Sequence, residues 1–515
     1  MQETIEGTRA PVRSPARLLL AGLALGCAFD VLFNGKLPGI SVPIFALLLV
    51  AVLLLALRWE GARALLANAW LFVALLFFAS MCAVRANGFL LFLNVSACLM
   101  ILAVIAVYLA QSPAAGMGLP ALGIAPIEAV LLSLFRAGQA AGQAYRPAAA
   151  AHPRPTRRQA IPWLRGLLLA VPVLLVFTAL LASADLIFAD RLEHLLSREF
   201  LDDLARGVGH ILLAVSAGFL LAGGLIVAVR RREPTWAERL GALRLPRFPG
   251  ITEAAVVINA VNLLFALFVV IQVPYLFGGR VNVVAGKFTY AEYARRGFGE
   301  LVMVAILTLG MLVVLSALAQ RSGRRQRLTF NISATVLLGL TCVMLASAFK
   351  RLLLYEEAYG FSQARIYPHV FMVWLGILLA WFIVTLWLRP DRFAIGVLVA
   401  ALGFVATLNV LNPDALVVRQ NVQRGPVPVQ TQAGGGEQIA EIDVSYFERL
   451  SQDAVPALVS ALDQTAGKAR QAIEADLSRR AKAMRSDTGW RRWPSTHLSR
   501  SRAYRLLMEH GYGQD

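Results

Sequence analysis

Three sets of side chains in this sequence are of a type and spacing that could do chemistry. Tyr290, Tyr293 and Arg296 recur at helical spacing, with Arg295 alongside and Glu300 one turn on. One helical face would then carry two phenols and a guanidinium. Such a face binds an anionic or glycan-bearing ligand, or anchors a helix at a membrane surface. Arg351, Tyr355 and Tyr359 form a second stripe at i, i+4 and i+8, and Glu356 and Glu357 add carboxylates close to Arg365 and His369. That set suits acid-base chemistry, or an ion-pair cluster joining two helices. Asp185, repeated in form by Asp190, and Asp30 stand at the ends of apolar runs. A carboxylate at that depth is expensive unless hydrated or paired, so each is either functional or marks the water boundary.

The elements that must position these residues follow from hydropathy. The 515 residues are 58% apolar with mean hydropathy +0.64, above the roughly 45–50% apolar content of soluble domains. The 16% charged residues gather between long apolar runs, a membrane pattern. Runs of about 20 apolar residues begin near Leu18, Pro38, Leu65, Phe89, Trp163, Val208, Ile251, Leu301, Phe330, Val370 and Phe393, predicting an all-α integral membrane protein of about eleven spans. The first run follows Arg9, Arg13 and Arg17 like a signal peptide but is read as an uncleaved span. The run from Ile124 to Phe135 is short and flanked by Pro120, Pro126 and Arg136, which predicts an interfacial helix. After it, 136–162 reads as a flexible linker rich in Ala, Pro, Gln and Arg.

The expected organisation is a cytoplasmic N-terminus (1–16), a four-span bundle (17–110), the interfacial helix and linker (111–162), a seven-span bundle (163–412) and a small helical tail (413–515). Arginines crowd the even-numbered connections, as at Arg230-Arg231-Arg232 and Arg321 to Arg327, whereas the loop from Asp185 to Arg206 holds six acids and three arginines. With positive charge inside, the N-terminus is cytoplasmic and the tail extracytoplasmic. In the tail, Phe447, Leu450, Val455, Leu458, Val459 and Leu462 recur at helical spacing, and a segment this small is expected to lean on the membrane or the outer loops. Trp490 and Trp493 beside Arg491 and Arg492 suit an interfacial anchor.

Several segments together resemble the bacterial membrane families known as domains of unknown function (DUF) 4153 and 4173. They are SADLIFADRL, TYAEYARRGFGEL, RLLLYEEAYGFSQARIYPHVFMVWL, NVLNPDALVVRQNVQR and DVSYFERLSQDAVPAL, in that order, and the likeness covers roughly Leu18 to Leu462. The resemblance implies a multi-pass protein of the bacterial inner membrane and carries no activity or catalytic residue with it.

Other classes lack their signatures. A charge of +18 could suggest nucleic acid, but it sits in short loops beside spans, and all but five of the 49 basic residues are arginine. No nucleic-acid partner is expected. Cys27, Cys82, Cys98 and Cys342 lie in apolar runs with no CxxC, and His194, His210 and His369 have no partner at ligand spacing, so no metal or cofactor is expected. Walker, Rossmann, GxSxG and HExxH patterns are absent. Asn259, Asn262, Gln272, Asn409 and Asn412 are explained by bonds across helices. Every polar-aromatic segment falls on the outer side, so the expectation is an external face that binds an envelope or membrane-linked lipid, glycan or protein partner. An enzyme acting on a lipid-linked envelope substrate and a solute transporter are the alternatives.

Overall fold

The computed structural model describes residues 13–62, 64–110, 113–151, 198–230, 250–277, 297–318, 323–425, 427–430, 437–440 and 444–512. Long helices dominate: α1 Pro15–Phe33, α2 Ser41–Glu60, α3 Trp70–Val84, α4 Gly88–Tyr108, α5 Leu119–Ala151, α6 Arg198–Val229, α7 Ile251–Phe277, α8 Phe298–Leu318, α9 Arg324–Tyr359, α10 Gln363–Leu388 and α11 Phe393–Leu411. Among the described residues, eleven helical stretches are long and apolar enough to cross a membrane, and each contains one of these helices or most of it, the third running from Leu66 and the eleventh from Pro390. This is a multi-pass helical membrane protein.

The set differs from the expected one at a single point. Ile124 to Phe135 does not stand alone but lies inside α5, whose stretch Leu119–Gln143 meets the criterion for a span. The apolar run alone is too short, yet Ala121, Ala125, Ala137 and Ala140 extend it as a buried face, and Glu128 and Arg136 are themselves buried in protein rather than presented to lipid. The start of the expected linker, through Ala151, continues the same helix. The run beginning at Trp163 lies outside the described residues.

Close approach of backbones organises the first half. Gly22 and Gly26 of α1 meet Ala214, Gly218 and Ala222 of α6, and a Cβ at Gly26 would lie 2.1 Å from the Ala214 carbonyl oxygen. Small residues four apart on both helices let their axes approach, the usual device where lipid supplies no hydrophobic drive. Residues of α1 to α6 share one core around Leu53, Leu75, Ile101 and Ile226, while α7 to α10 pack a second around Ile258, Leu312, Leu337 and Leu379. Helix α11 seals the two together: Leu398 and Leu402 belong to the first core and Phe393 to the second.

Beyond the spans come α12 Pro413–Arg424, strands β1 Val427–Gln430 and β2 Glu437–Ala440, and helices α13 Val444–Phe447, α14 Val455–Ala461, α15 Gly467–Ser486 and α16 Leu498–Glu509. The strands pair antiparallel, Val427 opposite Ala440 and Gln430 opposite Glu437. This domain does not stand apart from the bundle. Its core of Val417, Phe447, Leu458, Leu477 and Leu507 is continuous with Leu90, Ile366, Val370 and Leu408 of the spans. The domain covers the end of the bundle where α1 turns into α2, α3 into α4, α9 into α10 and α11 into α12. The start of α1 lies at the other end, where the Arg13 and Ser14 amides bond Glu60 at the end of α2.

Candidate functional site

Two buried carboxylates join the C-terminal domain to the spans. Asp414, 1% exposed at the start of α12, accepts from Asn87 Nδ2 at 3.2 Å, from the Ser451 amide at 2.9 Å, from the Ser451 hydroxyl and from Gln363 Nε2. Asp453, 2% exposed, accepts from the amides of Ala86 at 3.0 Å and Asn87 at 3.1 Å. A sharp elbow makes this possible. Asn412 takes a left-handed conformation, φ 49°, and caps the Ala415 amide, so that Pro413 and Asp414 open α12 at an angle to α11. Arg85 supplies positive charge nearby and donates to the Asn409 carbonyl at 2.8 Å. Burial pushes its guanidinium below the ordinary value while Asp453 and Asp414 pull it back. Asn94 and Asn409, both fully buried, exchange amide bonds of 3.0 and 2.7 Å one layer deeper. Carboxylates whose lone pairs are committed to amides and a hydroxyl act as clamps rather than as acids or bases.

Beside this hub lies the turn between α9 and α10. Helix α9 has 36 residues, roughly 54 Å at 1.5 Å per residue against about 30 Å of hydrocarbon, so it extends beyond the lipid. Gly360, at φ 79°, stops it and donates to the Glu356 carbonyl at 2.8 Å. Two arginines converge on the carbonyls exposed there. Arg365 donates to the carbonyls of Tyr359 and Gly360, and Arg424 of α12 to that of Glu357. Cations at the negative end of a helix dipole are favoured. Burial, then repulsion from Arg365, lowers the Arg424 pKa, and Glu357 opposes the shift. The Arg365 guanidinium lies 4.3 Å from the ring centroid of Tyr355, whose ring packs edge-on against Tyr359 at 5.0 Å. Behind the stack, Glu356 Oε1 meets His369 Nδ1 at 3.0 Å, with side chains 4% and 13% exposed. The other nitrogen of His369, Nε2, is buried with no hydrogen-bond partner among the described residues, and its ring abuts Phe349.

The family model described as "Domain of unknown function (DUF4153)" matches residues 71–461, well over half of the chain. The chain belongs to the DUF4153 family. No curated protein and no solved structure matches it. The matched residues of this DUF4153 protein run from α3 to the end of α14, so Asn87, Glu356, Gln363, Asp414, Ser451 and Asp453 all fall within the match.

Of the residues expected to form a site, Tyr355, Tyr359, Glu356 and Arg365 come together in the DUF4153 protein, and His369 joins Glu356. Arg351 leaves the tyrosine stripe: its Nη2 donates to Gln272 Oε1 at 2.8 Å and its guanidinium fills the space over Gly297. Glu300 sits exposed in the first turn of α8. Asp185, Tyr290, Tyr293, Arg295 and Arg296 lie outside the described residues. Asp30 is paired: His210 Nδ1 lies 2.7 Å from its Oδ2 and Asn34 Nδ2 2.7 Å from its Oδ1. Two histidines that local spacing leaves alone therefore gain carboxylates from other helices. Sequence reasoning missed the Asp414 and Asp453 hub, although both residues stand in segments that carry the family likeness; an acid directly after the helix-opening Asn412-Pro413 was the available signal. Trp490 also departs from expectation. It is 7% exposed, bonded to the Met484 carbonyl and packed on Tyr504, so only Trp493 remains on the surface. Among the described residues, no group of three or more His, Cys, Asp or Glu could hold a metal.

Proposed function

We propose that this is a multi-pass protein of a bacterial inner membrane, N-terminus cytoplasmic and C-terminal domain outside, whose covered end binds an anionic envelope or membrane-linked partner. The observation that carries the reading is the convergence of Arg424 and of Arg365, which lies over the Tyr355 and Tyr359 rings, at the end of α9. Two guanidiniums within reach of each other, backed by aromatic rings, suit a phosphate or carboxylate on a lipid, glycan or protein. Sidedness rests on Arg58, Arg230, Arg324, Arg325, Arg327, Arg389 and Arg392, which gather at the end opposite the C-terminal domain. Arg351, Glu300 and the residues Asp185, Tyr290, Tyr293, Arg295 and Arg296 belong to the same proposed face.

The test is complementation of a deletion strain. Arg365→Ala, Arg424→Ala and Tyr355→Ala should each lose function while the protein stays in the membrane at normal level and melting temperature. Wild-type behaviour of all three would overturn the reading.

A second reading is an enzyme acting on a lipid-linked envelope substrate, and the Glu356–His369 pair favours it. A carboxylate that orients one imidazole nitrogen leaves the other able to take a proton. Under this reading His369→Asn would leave partner binding intact and cause lipid-linked intermediates to accumulate. An unchanged lipid and glycan profile in the deletion strain would rule it out.

A further inference from the structure

The last segment of the C-terminal domain is tied to the mouth of the bundle at the start of α2. Helix α2 has 20 residues, about 30 Å of helix, comparable to the hydrocarbon thickness, and Ser41 is its first residue. The residue before it, Ile40, donates its amide to the Thr496 carbonyl at 3.0 Å, and the Leu37 amide donates to Ser495 Oγ at 3.0 Å. Gly39 permits this approach, since a Cβ there would lie 2.6 Å from the Thr496 oxygen. Helix α16 continues from this tie and touches α3.

Around the tie the side chains sort to two sides. Trp490, Pro494, Ser495 and His497 are buried, whereas Trp493 is 59% exposed and Leu498 63%, beside Leu37 at 45% and Ile40 at 40%. Four large apolar side chains are thus exposed together around the start of α2. From 490 to 505 the chain carries Arg491, Arg492, Arg500, Arg502 and Arg505 and no acid. Arg491 is steered by the rings of Trp490 and Tyr504, 5.6 and 4.9 Å away, while Arg492, Arg502 and Arg505 are exposed.

We propose that this rim is a binding surface for anionic phospholipids of the leaflet at that end of the bundle: Trp493 and Leu498 enter the interface beside Leu37 and Ile40, and Arg491 and Arg492 hold the headgroup phosphates. An indole at headgroup depth flanked by arginines is the side-chain pairing that interfacial anchoring requires. The surface is continuous with the lipid-facing start of α2, so bilayer is what covers it. It lies outside the Arg365 site, and its failure would leave that reading intact.

The full-length protein with Cys27, Cys82, Cys98 and Cys342 replaced by alanine would be placed in nanodiscs of phosphatidylcholine with or without phosphatidylglycerol. Nitroxides on Trp493→Cys and Leu498→Cys should collide with oxygen more, and with a water-soluble nickel chelate less, than an aqueous nitroxide does. Depths matching headgroup-labelled lipids support the proposal, and fully aqueous accessibility at both positions overturns it. In the unlabelled protein, Arg491→Gln and Arg492→Gln should each lower the preference for bound phosphatidylglycerol over phosphatidylcholine, read by native mass spectrometry, roughly fivefold. An unchanged preference in the double variant overturns the headgroup assignment.

Discussion

At the scale of single residues, the strongest constraints are buried polar groups with every partner in place. Asp453 satisfies two backbone amides at the α3–α4 turn, so Asp453→Ala leaves the Ala86 and Asn87 donors without it in a dry site. The expected loss is about 2–4 kcal/mol, read as a lower melting temperature in detergent, with Asp453→Asn losing less. Arg480 and Asp476 form a second such unit, 7% and 4% exposed, and Arg480 also donates to the carbonyls of Phe447 and Leu450. His497 is held neutral: burial first and the charge of Arg500 second lower its pKa from 6.5 to about 4, against a stabilising bond with the Pro38 backbone. Between those values the unfolded chain binds more protons than the folded one. Stability is therefore greatest above pH 6.5 and falls as pH drops toward 4, by up to about 3 kcal/mol. Melting temperatures from pH 4 to 7.5 should show a slope in the wild type that His497→Asn flattens, and identical slopes would contradict this.

At the scale of elements, glycine positions decide which helices can approach. A Cβ at Gly223 of α6 would fall 1.9 Å from the Ser133 carbonyl oxygen of α5, and neither backbone atom can step aside cheaply. Gly223→Ala should force α5 and α6 apart and destabilise the protein by about 1–3 kcal/mol, whereas Gly207→Ala, with open space at its Cβ, should be neutral or slightly stabilising. Equal melting temperatures for the two variants would show that α5 does not pack as described. In the second half the same role passes to Gly396 and Gly403 of α11, over which the rings of Trp381 and Trp374 lie. Trp374 then bonds Thr407 at 3.0 Å.

At the scale of the whole molecule, the C-terminal domain and the start of α1 lie at opposite ends of α2: Ile40 at its start bonds Thr496, while Arg13 and Ser14 bond Glu60 at its end. Helices α1 and α6 run antiparallel, since Gly22 meets Ala222 while Asp30 meets His210. A reporter active only in the cytoplasm, fused after Asp515, should be silent, and one active only outside should work. The reverse result would invert the sidedness proposed for the Arg365 site and for the Trp493 rim together.

What the sequence by itself determined is everything that depends on one-dimensional period and composition. Apolar length specifies which segments suit lipid, because hydrocarbon thickness is a fixed yardstick, and helical spacing put Tyr355 and Tyr359 on one stripe. Only the tertiary structure decided the remainder. The run from Ile124 to Phe135 is part of a longer helix, and the burial of Glu128 and Arg136 within it depends on neighbours that the local sequence does not name. His210 finds Asp30 across 180 residues, Asp414 finds Asn87 across 327, and Thr496 finds Ile40, because packing brings helix ends together. Partners of that separation leave no period in the chain, and burial alone makes their bonds strong enough to matter.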